Sequence, residues 1–256
     1  MSDSLLEAVR IVARLAGDVA FTHYRTAIRV ESKGDGSPVT IADRSAEEAA
    51  RVWIAKHFPR DGVLGEELGA VEGTSGRRWL LDPVDGTKSF VRGVPLWGTL
   101  VAVAEGDRVL AGCAYFPAVD EIIAAAPGEG CWWNGGRAAV SAVSALTGAT
   151  ALVTDDRTFS SVAQRDAWDA LSTKVGIARS WGDCFGYLLV ATGRAEVMVD
   201  PIINPWDAAC FLPIVEEAGG VFTSLSGERT AFGGHAIATN KALAAAAREF
   251  FRTPSV

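Results

Sequence analysis

The sequence predicts an α/β protein of layered helices and sheets, and three observations carry that expectation. Residues 1–57 hold two amphipathic helical patterns. Residues 63–125 hold short apolar runs broken by turn formers, the rhythm of a mostly antiparallel sheet. Beyond about Ser144, strand and helix patterns alternate, as in a layered α/β half.

The first helix opens on Ser4 and Glu7 in capping-box spacing. Leu5, Val9, Val12, Ala16 and Val19 then recur at steps of four and three. KGDGSPVT, Lys33 to Thr40, reads as a loop, and a second helix runs from about Ala42 to His57, stopped by Pro59 and Asp61-Gly62. Strands are expected at Val63-Leu64, Trp79 to Leu81, Thr99 to Ala104, Val109 to Tyr115 and Glu121 to Ala125. The second half predicts strands at Ala151 to Thr154, Val175 to Ala178, Ala195 to Val199, Val221 to Thr223 and Ala236 to Thr239. Helices are expected at Ser161 to Leu171, Asp183 to Thr192, Trp206 to Ala218 and from Lys241 onward. Pro213 conflicts with one continuous helix from Trp206, because it removes a backbone donor and should kink or divide it. The change of rhythm gives two halves, 1–144 and 145–256. With no linker or repeat between them, they are expected to join tightly or count as one domain.

Composition narrows the function classes. The chain has 256 residues, 49% apolar and 21% charged, so it is neither disordered nor fibrous. No apolar run approaches the roughly 20 residues of a membrane span, and MSDSLLEAVR has no basic start or cleavable apolar stretch, so the cytoplasm is the expected location. A net charge of −7 argues against a nucleic-acid partner. Cys113, Cys131, Cys184 and Cys210 are scattered, with no CxxC pair, so free packed thiols are expected rather than zinc ligands or disulfides.

The chemistry concentrates in LLDPVDGTKSF, Leu80 to Phe90. Asp82 ends an apolar run, Pro83 forces a bend, and Asp85 returns to the same side with the Val84 carbonyl between them. Hard cations such as Mg²⁺ take oxygen ligands of this sort, completed by waters and substrate phosphate. Gly86 and Thr87 then open a segment whose free N–H groups suit an anion. An ordinary turn explains the same six residues, since Asp, Pro and Gly are common turn formers. Three other segments add acids: GEE with Glu66 and Glu67 after a short apolar run, WDAAC with Asp207 at a helix start, and VTIAD with Asp43 three residues after Thr40. Each has a plainer reading, as a solvated loop or a helix cap. The sharper reading makes Asp43 a base partner of Thr87.

Taken together, Lys33 with VTIAD, then GEE, WLLDPVDGTKSFVRG, WGD at Trp181 to Asp183, and NPWDAACFLPIVEEAGG resemble the inositol monophosphatase superfamily, over nearly the whole chain. These are Mg²⁺-dependent, lithium-sensitive phosphatases of small phosphorylated metabolites. The resemblance implies a sugar-phosphatase fold of alternating αβαβα layers. It makes Glu66, Asp82, Asp85, the Val84 carbonyl and Asp207 ligands of two or three Mg²⁺ ions, for which Mn²⁺ substitutes. It places Gly86 and Thr87 on phosphate and counts Asp43, Thr87 and Glu66 as catalytic. Water would attack phosphorus directly, with no covalent intermediate. A homodimer is also implied.

Within the superfamily, SFVRGVPLWGTL, Ser89 to Leu100, looks more like the histidinol-phosphatase branch. The substrate-facing acid of the family falls on Asp200, where Glu is more usual, and Asp183 of WGD is a second candidate. Histidinol phosphate carries an ammonium and an imidazole that both acids could accept, although polyol hydroxyls would use the same oxygens. Arg92, Trp97 and Trp181 are further candidate pocket walls, with packing or a solvated surface as the alternative. A rival aspartyl-phosphate mechanism needs two acids at i and i+2, whereas Asp82 and Asp85 stand at i and i+3. A non-catalytic anion-binding regulator is the other alternative.

Overall fold

The computed structural model describes residues 4–32, 34 and 38–252; Lys33 of the first motif lies outside them. Helix α1 (Leu5–Phe21) starts where Ser4 Oγ accepts the Glu7 N–H at 3.2 Å, the Ser4 half of the expected box. A short hairpin, β1 (Glu31–Ser32) and β2 (Pro38–Val39), leads to α2 (Ile41–His57). Then come β3 (Gly62–Gly65), β4 (Gly69–Val71), β5 (Arg77–Asp85), the one-turn α3 (Thr87–Phe90), β6 (Gly98–Glu105), β7 (Arg108–Phe116), β8 (Glu121–Ala126), β9 (Gly130–Trp133) and β10 (Gly136–Arg137). The second half runs β11 (Thr150–Val153), α4 (Val162–Ser172), β12 (Ile177–Arg179), α5 (Asp183–Ala191), β13 (Val197–Asp200), α6 (Pro205–Ala208), α7 (Phe211–Glu217), β14 (Val221–Thr223), β15 (Ala236–Thr239) and α8 (Ala244–Glu249).

Strands β3 to β10 form one sheet in the order β10-β9-β8-β7-β6-β5-β3-β4, antiparallel except where β3 runs parallel to β5. A second sheet of mixed direction has the order β12-β11-β13-β15-β14. The period-2 alternation of β5 and β6 sorts their side chains onto two faces. Trp79, Leu81, Val101 and Val103 face α1 and α2. Leu80, Leu100, Ala102 and Ala104 face α5 and α7, which also cover Met198 and Phe222 of the second sheet. Its other face, with Val153, Val199 and Ile237, meets Trp168 of α4 and Ala247 of α8. The layers are therefore α, β, α, β, α, and the middle helical layer is a core shared by both halves.

Three expectations need correction. The helix expected over Trp206 to Ala218 is two helices broken at Ala209–Cys210. Pro213 supplies no N–H for the Ala209 carbonyl, and it sits instead in the first turn of α7, where that donor has no helical partner to lose. The strand expected to stop near Leu81 runs on to Asp85, so both aspartates belong to β5. The last helix begins at Ala244 rather than Lys241, after a turn whose Leu243 N–H is held by the Asn240 side chain at 2.9 Å.

Candidate active site

The site begins with an irregularity in β5. In a regular strand, residues three apart point to opposite faces, so Asp82 and Asp85 would diverge. Opposite β6, however, Asp82 pairs with Leu100 and Asp85 with Gly98, so three steps on one strand face two on the other. This bulge inserts one extra residue and turns Asp85 back toward Asp82. Thr99 holds it by donating its hydroxyl to the Pro83 carbonyl at 2.7 Å, and Asp82 Oδ1 accepts the Val84 N–H at 2.9 Å.

Glu66 arrives beside Asp82 through the parallel pairing of β3 with β5. Gly65 is in register with Leu81, and the Glu66 N–H donates to the Leu81 carbonyl at 3.1 Å. Asp207 comes from the other half, in the first turn of α6, where its Oδ2 accepts the Asn204 N–H at 3.0 Å. One carboxylate oxygen from each of Glu66, Asp82 and Asp207 lies within 4.8 Å of the others. Asp85 lies outside this trio, close to Asp82, Asp183 and Asp207, and accepts the Cys184 N–H, at the start of α5, at 2.5 Å.

The electrostatics are those of acids packed without enough counter-charge. Burial, then the charges of Glu66, Asp85 and Asp207, raise the Asp82 carboxyl well above the usual range. Burial, then Asp183 and Asp207, do the same for Asp85. Burial raises Asp207 to about 6, against the pull of the Asn204 N–H. An oxygen-only donor set in which buried and half-buried carboxylates repel one another is the chemistry a hard divalent cation satisfies. Glu66, Asp82 and Asp207 therefore fit such an ion, with Asp85 beside them.

Asp43 is buried at the start of α2. Its Oδ2 accepts the Thr40 N–H at 2.8 Å and the Thr40 hydroxyl at 2.6 Å, a capping box, and its Oδ1 receives the Thr87 hydroxyl at 3.4 Å. The one Thr87 hydroxyl proton is shared between this oxygen and the nearer Val84 carbonyl at 3.0 Å, which ties the pair to the bulge. The cap reading of Asp43 and the base-partner reading thus coexist: one oxygen caps, the other faces Thr87. Burial raises the Asp43 pKa, which makes it a better proton acceptor. Gly86, at φ 85°, turns the chain from β5 into α3, and a Cβ there would stand 2.8 Å from the Leu96 carbonyl oxygen.

A cleft beside this cluster is lined by Asp85, Asp183, Cys184, Tyr187, Asp200 and Asp207. Asp200 ends β13 as Asp82 interrupts β5, and burial raises it to about 7 while the Thr154 hydroxyl, which donates to it, pulls the other way. The Tyr187 hydroxyl lies near Asp200 but outside hydrogen-bond geometry. Asp183 holds a left-handed backbone at φ 49°, fixed by its N–H on Thr154 Oγ1 at 2.8 Å. Burial raises its carboxyl to about 6, and Lys88 opposes that shift. Arg92 stands outside the cleft, exposed, with Nη1 on the Lys88 carbonyl at 3.0 Å. Trp97 is buried against Phe90 and Tyr24, a packing residue, and Trp181 is exposed near the WGD turn. Sequence reasoning missed Lys88 and Thr154. Lys88 directly follows Thr87, and Thr154 ends an apolar run just as Asp82 does, so both carried a readable signal.

With this geometry in place, similarity to known proteins decides the family. Residues 1–252 match the inositol monophosphatase family. The chain belongs to the inositol monophosphatase family. A histidinol-phosphatase of Chlorobaculum parvum is 40% identical over 227 residues, covering 88% of this chain and 88% of that one. A histidinol-phosphatase of Mycobacterium tuberculosis is 38% identical, covering 83% and 84%. Two solved structures, an inositol monophosphatase from Zymomonas mobilis and an IMPase from Thermotoga maritima, each superpose with a TM-score of 0.85 at 28% identity, covering 96% of both chains. As a family member the chain is a phosphatase acting on a small phosphorylated substrate; the family is metal-dependent, and Glu66, Asp82 and Asp207 form an acidic cluster that could hold a metal ion.

Proposed function

We propose that this phosphatase uses Mg²⁺ to hydrolyse L-histidinol phosphate to L-histidinol and phosphate. The observation that carries the substrate is the naming of three relatives at 37–40% identity, over most of their lengths, as histidinol-phosphatases. Asp183 and Asp200 support it, because they place a half-buried and a buried acid in the cleft next to the metal-binding acids, where an ammonium or imidazolium would be held by charge-assisted bonds.

In this reading Glu66, Asp82, Asp85, the Val84 carbonyl and Asp207 hold two or three Mg²⁺ ions, and Mn²⁺ fits the same oxygens. Bound there, the ions supply positive charge to the phosphate oxygens and make water more acidic. The chain's own residues do the rest. Gly86 and Thr87 present backbone N–H groups to the phosphate. Asp43, with Thr87, orients the attacking water and takes its proton, and the Thr40 bonds keep its carboxylate fixed while it does so. No cysteine serves as nucleophile: burial pushes the Cys184 thiol far up, and the charge of Asp85 pushes it further.

The test is phosphate release from L-histidinol phosphate, inositol 1-phosphate, fructose 1,6-bisphosphate and 3′-phosphoadenosine 5′-phosphate at saturating Mg²⁺. The highest kcat/KM on the first is expected. Preference for any other substrate overturns the substrate assignment, and release from none of them points to the non-catalytic alternative.

A further inference from the structure

Among the described residues, Glu47 is the most deeply buried of the acids that serve neither the metal cluster nor the attacking water. Glu47 lies one turn after Asp43 on the same face of α2, and no part of it reaches solvent. Its carboxylate accepts the Glu67 N–H at 2.8 Å and the Leu68 N–H at 3.2 Å, both from the turn joining β3 to β4. Arg51, one turn further along, donates Nε to it at 2.7 Å and Nη2 to the Gly69 carbonyl at 2.5 Å. The pair thus grips both sides of a three-residue turn whose first member is Glu66.

A buried carboxylate is costly unless it is paired and bonded, and this turn is partly open to water that could satisfy its amides. The carboxylate therefore adds geometry rather than satisfaction. Gly65 shows how closely it is fitted, because a Cβ there would stand 2.0 Å from Glu47 Oε1. The glycine of GEE is the space that lets Glu47 reach the turn.

We infer that Glu47 is a positioning residue that sets Glu66 for metal binding and locks its place relative to Asp43, since both are fixed from one turn of α2. This rests on the reading of Glu66 as a ligand. Supporting groups of this kind change metal affinity by about 10- to 100-fold.

The test measures Mn²⁺ affinity of the whole chain by electron paramagnetic resonance and calorimetry, without substrate, alongside a melt of the metal-free protein. Glu47→Ala, and Gly65→Ala approaching from the other side, are expected to weaken Mn²⁺ at least about tenfold, with Glu47→Gln intermediate because it keeps one acceptor. Should Glu47→Ala not fold, Glu47→Gln and Gly65→Ala carry the comparison. Glu66→Gln is expected to weaken Mn²⁺ as well, and Glu47→Ala is expected to add little to it, because the two act through one ligand. Unchanged affinity in Glu66→Gln refutes the ligand reading. Weakened affinity in Glu66→Gln with unchanged affinity in the folded Glu47 and Gly65 variants refutes the positioning inference, as does a full additive loss in the double variant.

Discussion

Replacing Asp200 with Asn should make the metal-free protein more stable at pH 8 while leaving it nearly unchanged at low pH. Asp200 is buried, and that burial raises its carboxyl from 3.8 to about 7. A carboxyl with a raised folded pKa holds its proton more tightly folded than unfolded. Its contribution is therefore fully present below 3.8 and is lost as pH climbs through about 7. A rise of that size corresponds to roughly 4 kcal/mol at most, at about 1.4 kcal/mol for each pKa unit. Asn is neutral throughout, matches the shape of the protonated acid, and keeps an oxygen for the Thr154 hydroxyl. The other raised acids also titrate, so only the difference between the two proteins belongs to Asp200. Denaturant melts of both, in chelator at pH 4.5 and pH 8, measure it. Wild type should lose several kcal/mol more than the variant across that interval. Equal losses would show that Asp200 is not held in an environment that penalises its charge.

Three further outcomes follow from the same geometry. Asp85→Asn should cut phosphate release at least about a hundredfold while leaving the circular dichroism spectrum intact, since it removes a charge that metal catalysis depends on; retained activity would remove Asp85 from the ligands. Thr87→Ala should lower kcat by about 10²- to 10⁴-fold with little change in KM, and Thr87→Ser should recover much of it, measured by initial rates. Mg²⁺ should raise the melting temperature more at pH 8 than at pH 5, because Asp82, Asp85 and Asp207 have raised pKa values and must lose protons to bind it. Calorimetry in buffers of different ionisation enthalpy should show the protons released.

How much of this was legible in the sequence depended on whether the signal was local. Helix α2 was readable because Thr40 and Asp43 form its cap, and that same cap holds the proposed base. The strands of the large sheet were readable where apolar runs were long. β4, fully exposed, and β9 and β10, short and broken by Gly and Asn, carried too little apolar pattern to register. The two aspartates of LLDPVDGT were visible, but the means of bringing them together was not. A bulge depends on the register of β6, and nothing within β5 states that register. The role of Glu47 was hidden for a similar reason. On α2 it looks like one half of an i, i+4 pair with Arg51, and only the folded turn shows what the carboxylate grips.

The site's position also explains why its acids can be so crowded. Glu66, Asp82 and Asp85 come from one edge region of the large sheet, whereas Asp183, Asp200 and Asp207 come from elements of the second half. Behind them, Leu80, Leu100 and Ala102 on one side and Tyr187, Phe211 and Ile214 on the other are buried in one continuous core. That core forces together two groups of like charge which, in a looser protein, would separate to relieve their repulsion. Removing the core contact should therefore release the acids before it unfolds either sheet. Phe211, fully buried, lines the cleft beside Asp85 and Asp207 and stacks on Tyr187 of the same half with ring centroids 4.6 Å apart. In the proposed metal centre, affinity would then depend on hydrophobic packing as well as on the ligands, because the apolar core holds in place the charge density that a divalent cation would neutralise.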